Sequence, residues 1–80
     1  MFAFARRVGL SPEQRGETSG RDTCPDIWEL DNGAFAVIGT DVTEQVKGLL
    51  PEGMHCAPYE RVVIVTRRTL IAAKRDLPDV

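Results

Sequence analysis

Between Asp26 and Ile38 apolar and polar side chains alternate, and the run "DIWELDNGAFAVI" carries Asn32-Gly33 near its middle. Alternation with period two predicts strands, and Asn-Gly is suited to both central positions of a type I′ turn. A two-residue turn opposes Leu30 to Phe35, Trp28 to Val37 and Ile27 to Ile38. Trp28, Leu30, Phe35 and Val37 then share one face. A three-residue loop would oppose Glu29 to Phe35 and mix the faces, so the apolar sorting favours the shorter turn. On this pairing Ile27 and Ile38 meet on the opposite face, as a small apolar contact patch or dimer seam, or simply as exposed or covered side chains.

The period changes after Gly39. Asp41 and Glu44 stand at cap and third-helical spacing. Val42, Val46, Leu49 and Leu50 form one stripe of a short helix, weakened by Gly48 and stopped by Pro51. The β-branched run "RVVIVT", Arg61 to Thr66, fits a strand in the body of a sheet. "RRTLIAAKRDL" reads as a second helix with Leu70, Ala73 and Leu77 on one side and Pro78 after it. A hairpin through "TRRT" competes, but the Ala-Ala-Lys-Arg stretch favours the helix.

Residues 11–26 contain no Val, Ile, Leu, Met or aromatic side chain. Ser11-Pro12-Glu13-Gln14 has the form of a capping box with proline at the first helical position, yet no apolar face follows it. Residues 1–23 are therefore expected to be a flexible arm, and 24–80 a single α+β domain. The predicted order is β-β-α-β-α, a three-stranded, mainly antiparallel sheet with two short helices on one face. Its expected core is Trp28, Leu30, Phe35, Val37, Val46, Leu49, Val63, Val65 and Leu70.

Composition is that of an ordinary soluble domain, 42% hydrophobic and 28% charged. No apolar run reaches the roughly 20 residues of a membrane span, and the start lacks the apolar core of a secretory signal. A cytoplasmic location is the expectation, with Cys24 and Cys56 as reduced thiols and the protein a monomer or weak homodimer. The net charge of -2 is unevenly spread: residues 23–60 hold one lysine against seven acids, and residues 61–80 hold five cations against two acids. An acidic middle and a basic end can attract one another within the fold.

Chemistry finds little to stand on. Cys24, His55 and Cys56 lack the paired spacing of a structural zinc site, so no metal or cofactor is expected. His55 beside Cys56 offers two residue types of a nucleophilic pair, but neighbouring side chains on an extended loop point apart. No phosphate loop, dinucleotide fingerprint or calcium loop occurs, and the expectation is that the protein is not an enzyme. Arg61, Arg67, Arg68 and Lys74, with Arg75, are the candidate recognition surface. Arg67 and Arg68 lie where the last helix should begin, so backbone N–H groups could add to an anion site.

The segments "CPDIWELDNGAFAVIGTDVT" and "ERVVIVTRRTLIAAK" resemble those of short uncharacterised actinobacterial proteins bearing a C-P-D-I-W-E-L segment. The resemblance spans about residues 24–77 and carries no catalytic motif. Such proteins are associated with genes beside helix-turn-helix regulators, which implies an accessory role in regulation. The expected function is a non-catalytic protein-interaction module whose partner is a protein such as a DNA-binding regulator. The alternative is a nucleic-acid-binding module using Arg67 and Arg68, and a net acidic chain weighs against it.

Overall fold

The computed structural model describes residues 2–17 and 25–79. The chain is a small α+β domain with a three-stranded antiparallel sheet and two short helices. Strands β1 (Phe4–Arg7), β2 (Asp26–Leu30) and β3 (Phe35–Ile38) lie in the order β1-β2-β3. A two-stranded ribbon follows, formed by β4 (Thr40–Asp41) and β5 (Val63–Ile64), with the single-turn helix α1 (Thr43–Val46) between them. Helix α2 (Arg67–Ala73) continues into a 3-10 turn over Lys74–Asp76.

The hairpin forms where the alternation places it, but its register differs by one residue. Ile27 opposes Val37, Trp28 opposes Ala36, and Glu29 opposes Phe35. The loop is Asp31-Asn32-Gly33: Leu30 N–H donates to Ala34 O at 2.8 Å, and Gly33 takes φ +87°. This is the three-residue hairpin, with glycine supplying the left-handed residue. Its cause lies in the third strand. Asp31 N–H donates to Ala3 O, and the Asp31 carboxylate accepts the Ala3 N–H at 3.0 Å, so Asp31 serves the β1–β2 seam. Trp28 and Leu30 consequently face away from Phe35 and Val37, and Ile27 faces away from Ile38.

That third strand comes from the expected arm. Arg6 pairs with Glu29 at 2.7 Å, and Arg7 pairs with Asp26 at 2.9 Å. The two arginines thus meet carboxylates on the neighbouring strand, and a segment that reads as solvated becomes a sheet edge. "RVVIVT" does not join this sheet; only Val63 and Ile64 pair, with β4.

The first helix is cut to one turn. The Asp41 carboxylate accepts from Thr43 N–H at 3.0 Å and from the Thr43 hydroxyl at 2.7 Å, which starts the turn. The same hydroxyl oxygen accepts the Val62 N–H at 2.7 Å and ties the turn to the ribbon. Beyond Val46 the expected stripe breaks up: Leu49 is 77% exposed and Leu50 is half-buried.

The core is Val8, Ile27 and Ala73, where β1 ends against β2 and α2. Full burial of a side chain such as Val8 or Ile27 stabilises by about 1.5–3 kcal/mol. Of the expected core, Leu30 is buried and Trp28, Val46 and Val65 are half-buried. Phe35, Val37, Leu49, Val63 and Leu70 are exposed. Helix α2 packs on β2, whereas α1 is tied to the β4–β5 ribbon.

Candidate functional site

The residues at 11–17 build one wall of a cleft. The Ser11 hydroxyl accepts the Gln14 N–H at 3.2 Å, and the Gln14 side-chain oxygen accepts the Ser11 N–H at 2.9 Å. This reciprocal capping box closes a single turn, with Arg15 N–H donating to Ser11 O at 3.0 Å. Gly16, at φ +71°, ends it. Arg15 is thereby turned inward and buried. Its guanidinium donates to the Glu17 carboxylate and to the carbonyls of Leu10 and Pro25, so no part of its charge is left bare in the interior.

The other wall is α2. The Thr66 hydroxyl caps it by accepting the Thr69 N–H at 3.2 Å, so that donor is taken and adds nothing to an anion site. Hydrogen bonds from Thr66, Arg15 and Thr69 hold the Glu17 carboxyl below the usual range, outweighing partial burial. Arg68 reaches across and donates to Arg15 O at 3.2 Å. Gly9 closes the base: its N–H donates to the Asp76 carboxylate at 2.8 Å.

Between these walls lies a cleft of about 400 Å³. Arg15, Arg68 and Arg75 line it together with Asp76, and Leu10, Ile71 and Ala72 supply its apolar surface. Arg68 and Arg75 enter no ion pair among the described residues. The site therefore combines two guanidiniums that are without an ion pair among the described residues, one carboxylate and an aliphatic floor, a combination suited to binding.

The expected recognition residues do not assemble. Arg68 is in the cleft; Arg67 and Lys74 are exposed on the same helix run but do not line it. Arg61 lies 4.0 Å from Asp41 and 3.8 Å from Glu44, at the ribbon. Ile27 is buried and Ile38 exposed on opposite faces, so they form no common patch or seam. Arg15, Leu10 and Asp76 carry no local pattern that marks them as part of a site. The legible signal was Arg68, Ile71, Ala72 and Arg75 at i, i+3, i+4 and i+7, one stripe of a helix.

Two other groups bear on function. Burial pushes the Asp26 carboxyl up, but hydrogen bonds from Arg7, Trp28 and the Ile27 N–H, with the Arg7 charge, hold it below the usual aspartate range. The Arg7 guanidinium also lies 4.9 Å from the centre of the Trp28 ring, and Phe4 meets that ring edge-on at 6.0 Å. Trp28 is thus committed to the β1–β2 seam. At the far end, Met54, His55, Cys56 and Glu60 line a shallow depression of about 530 Å³, where the Cys56 thiol donates to Glu60 O at 3.4 Å. Cys24 lies outside the described residues, and among those described no His, Cys, Asp and Glu side chains gather as a metal site. No described helix is long and apolar enough to cross a membrane. No protein-family model, curated protein or solved structure matches this chain.

Proposed function

We propose that the chain is a non-catalytic protein-interaction module whose contact site is the arginine-lined cleft, and that it acts as an accessory to a transcriptional regulator. The observation that carries the first part is the position of Arg68 and Arg75, two cations with no carboxylate partner among the described residues, on either side of exposed Ile71. A protein partner would complete both the charge and the apolar contact. The regulatory setting rests on the resemblance of residues 24–77 to proteins encoded beside helix-turn-helix regulators.

Among the described residues Arg61 and Arg15 are set beside carboxylates and so stand apart from the cations of the last helix run, which weighs against a nucleic-acid surface. Arg61 sits beside Asp41 and Glu44, Arg15 is matched by Glu17, and no aromatic side chain lines the cleft for a base to stack on. Affinity capture from nuclease-treated lysate of the source organism tests the proposal. A partner at near-equal stoichiometry should be retained by the wild type and by Leu49→Glu, and lost with Arg68→Glu/Arg75→Glu. Equal retention by the charge-reversed variant refutes it. A steeply salt-dependent gel shift with DNA or RNA replaces it with the nucleic-acid reading.

A further inference from the structure

We infer that the cleft takes a carboxylate held beside an aliphatic side chain, as in the C-terminal residue of a partner peptide. This rests on the interaction-module reading and names the chemistry of its partner. Charge comes first. Arg15 is neutralised by Glu17, and the Asp76 carboxylate, which forms no ion pair with either, counts against the two remaining guanidiniums in the formal charge of the cleft. The site is left with roughly one positive charge, which matches a monoanion. The several charges of a polyphosphate or a nucleic-acid backbone would exceed this single positive charge and be repelled by Asp76 more strongly than a monoanion is.

Spacing and surface narrow it further. Arg68 and Arg75 are seven residues apart, about two turns of helix, with Ile71 and Ala72 between them on the same side. Leu10 faces them across the cleft, so an aliphatic side chain has apolar walls while its carboxylate accepts from a guanidinium fork. Asp76 uses one carboxylate oxygen for Gly9 N–H, and among the described residues its other oxygen accepts no hydrogen bond. A peptide's last amide N–H is a donor suited to that oxygen. The three polar and apolar requirements together describe one terminal residue: carboxylate, amide and aliphatic side chain.

The test uses N-acetyl-leucine, which carries all three groups, against N-acetyl-leucine amide, N-acetyl-glycine and inorganic phosphate. Each is titrated into the isotope-labelled full chain and followed by NMR. Saturable shifts are expected at the Ile71 methyl and at the Arg68 and Arg75 Nε–H groups with N-acetyl-leucine. The amide and the glycine derivative should bind roughly tenfold or more weakly. Arg75→Gln, at a side chain free of ion pairs among the described residues, should weaken N-acetyl-leucine by a similar factor while the Ile27 and Trp28 signals stay in place. Arg68→Gln should do the same. Equal binding of acid and amide, equal or stronger binding of phosphate, or no saturable shift overturns the inference. If it falls while Arg68- and Arg75-dependent capture of a protein persists, only the carboxylate chemistry is lost; if capture fails as well, the interaction reading goes with it.

Discussion

Replacing Gly9 by alanine should destabilise the fold more than the same change at Gly16, where the added Cβ would meet only the end of the Arg68 side chain at 3.9 Å. Gly9 takes φ +84°, and an alanine there would place its Cβ 2.9 Å from Ala73 N and 3.0 Å from Ala72 C. The backbone conformation alone costs an L-residue about 1–2 kcal/mol. Forcing a methyl against the α2 backbone adds about 1–3 kcal/mol, because the obstacle is main chain and not a side chain that can rotate away. The combined loss, about 3 kcal/mol, is a large share of what so small a core supplies. It corresponds to a fall in Tm of roughly 12–24 °C for a domain of this size. Urea unfolding followed by Trp28 fluorescence measures it, with an unchanged slope showing that the same two states are compared. Gly48→Ala is the control: no atom lies within 4 Å of the added Cβ, so it should be neutral or stabilising by up to about 1 kcal/mol. A Gly9→Ala protein within about 0.5 kcal/mol of wild type, well inside the cost of an ordinary surface change, would mean that Gly9 does not pack on α2.

Three further outcomes separate this structure from the arrangement the alternation suggests. Trp28→Ala should cost about 2 kcal/mol, the loss of the Phe4 and Arg7 contacts and of partial burial, and not the 3–5 kcal/mol of a fully buried aromatic; chemical denaturation reads the difference. Leu49→Glu should leave the stability within about 0.5 kcal/mol, since the side chain is exposed; a larger loss would return Leu49 to the core. The Asp26 carboxyl is held below its ordinary value in the fold, so its contribution is present above the unfolded pKa of about 3.9 and is lost as pH falls through the lower folded value. Thermal melts from pH 7 to pH 2 should therefore decline steeply below about pH 4, and Asp26→Asn should flatten that decline while lowering stability at pH 7.

The sequence revealed the hairpin and the last helix because both depend on local chemistry. Asn32-Gly33 places the reversal, and Thr66 sits where a cap belongs before a run of helix formers. Register was another matter. The apolar residues of the two hairpin strands sort neatly in the other register, whereas Asp31 is engaged by Ala3, just before a third strand far away in the chain. Strand β1 itself was hidden because Arg6 and Arg7 read as solvated charges. Their partners, Glu29 and Asp26, are separated from them by some 20 residues, and nothing local announces the pairing. The uneven charge along the chain was the available hint, with the attraction acting between the start and the middle more than between the middle and the end. The capping box at Ser11 was visible, but its purpose was not. It orients Arg15 instead of starting a helix, and a turn that buries one guanidinium needs no apolar stripe. The cleft is not legible in the sequence for the same reason: one wall comes from residues that look like linker.

Everything said of the cleft requires that residues 2–17 dock on β2 and α2 through Val8. Methyl-to-methyl NOEs in the labelled protein ask this directly. The account predicts cross-peaks from the Val8 methyls to the Ile27 and Ala73 methyls, with strand-like shifts over residues 4–7. Random-coil shifts over that stretch, and no cross-peak from Val8 to either partner, would contradict it.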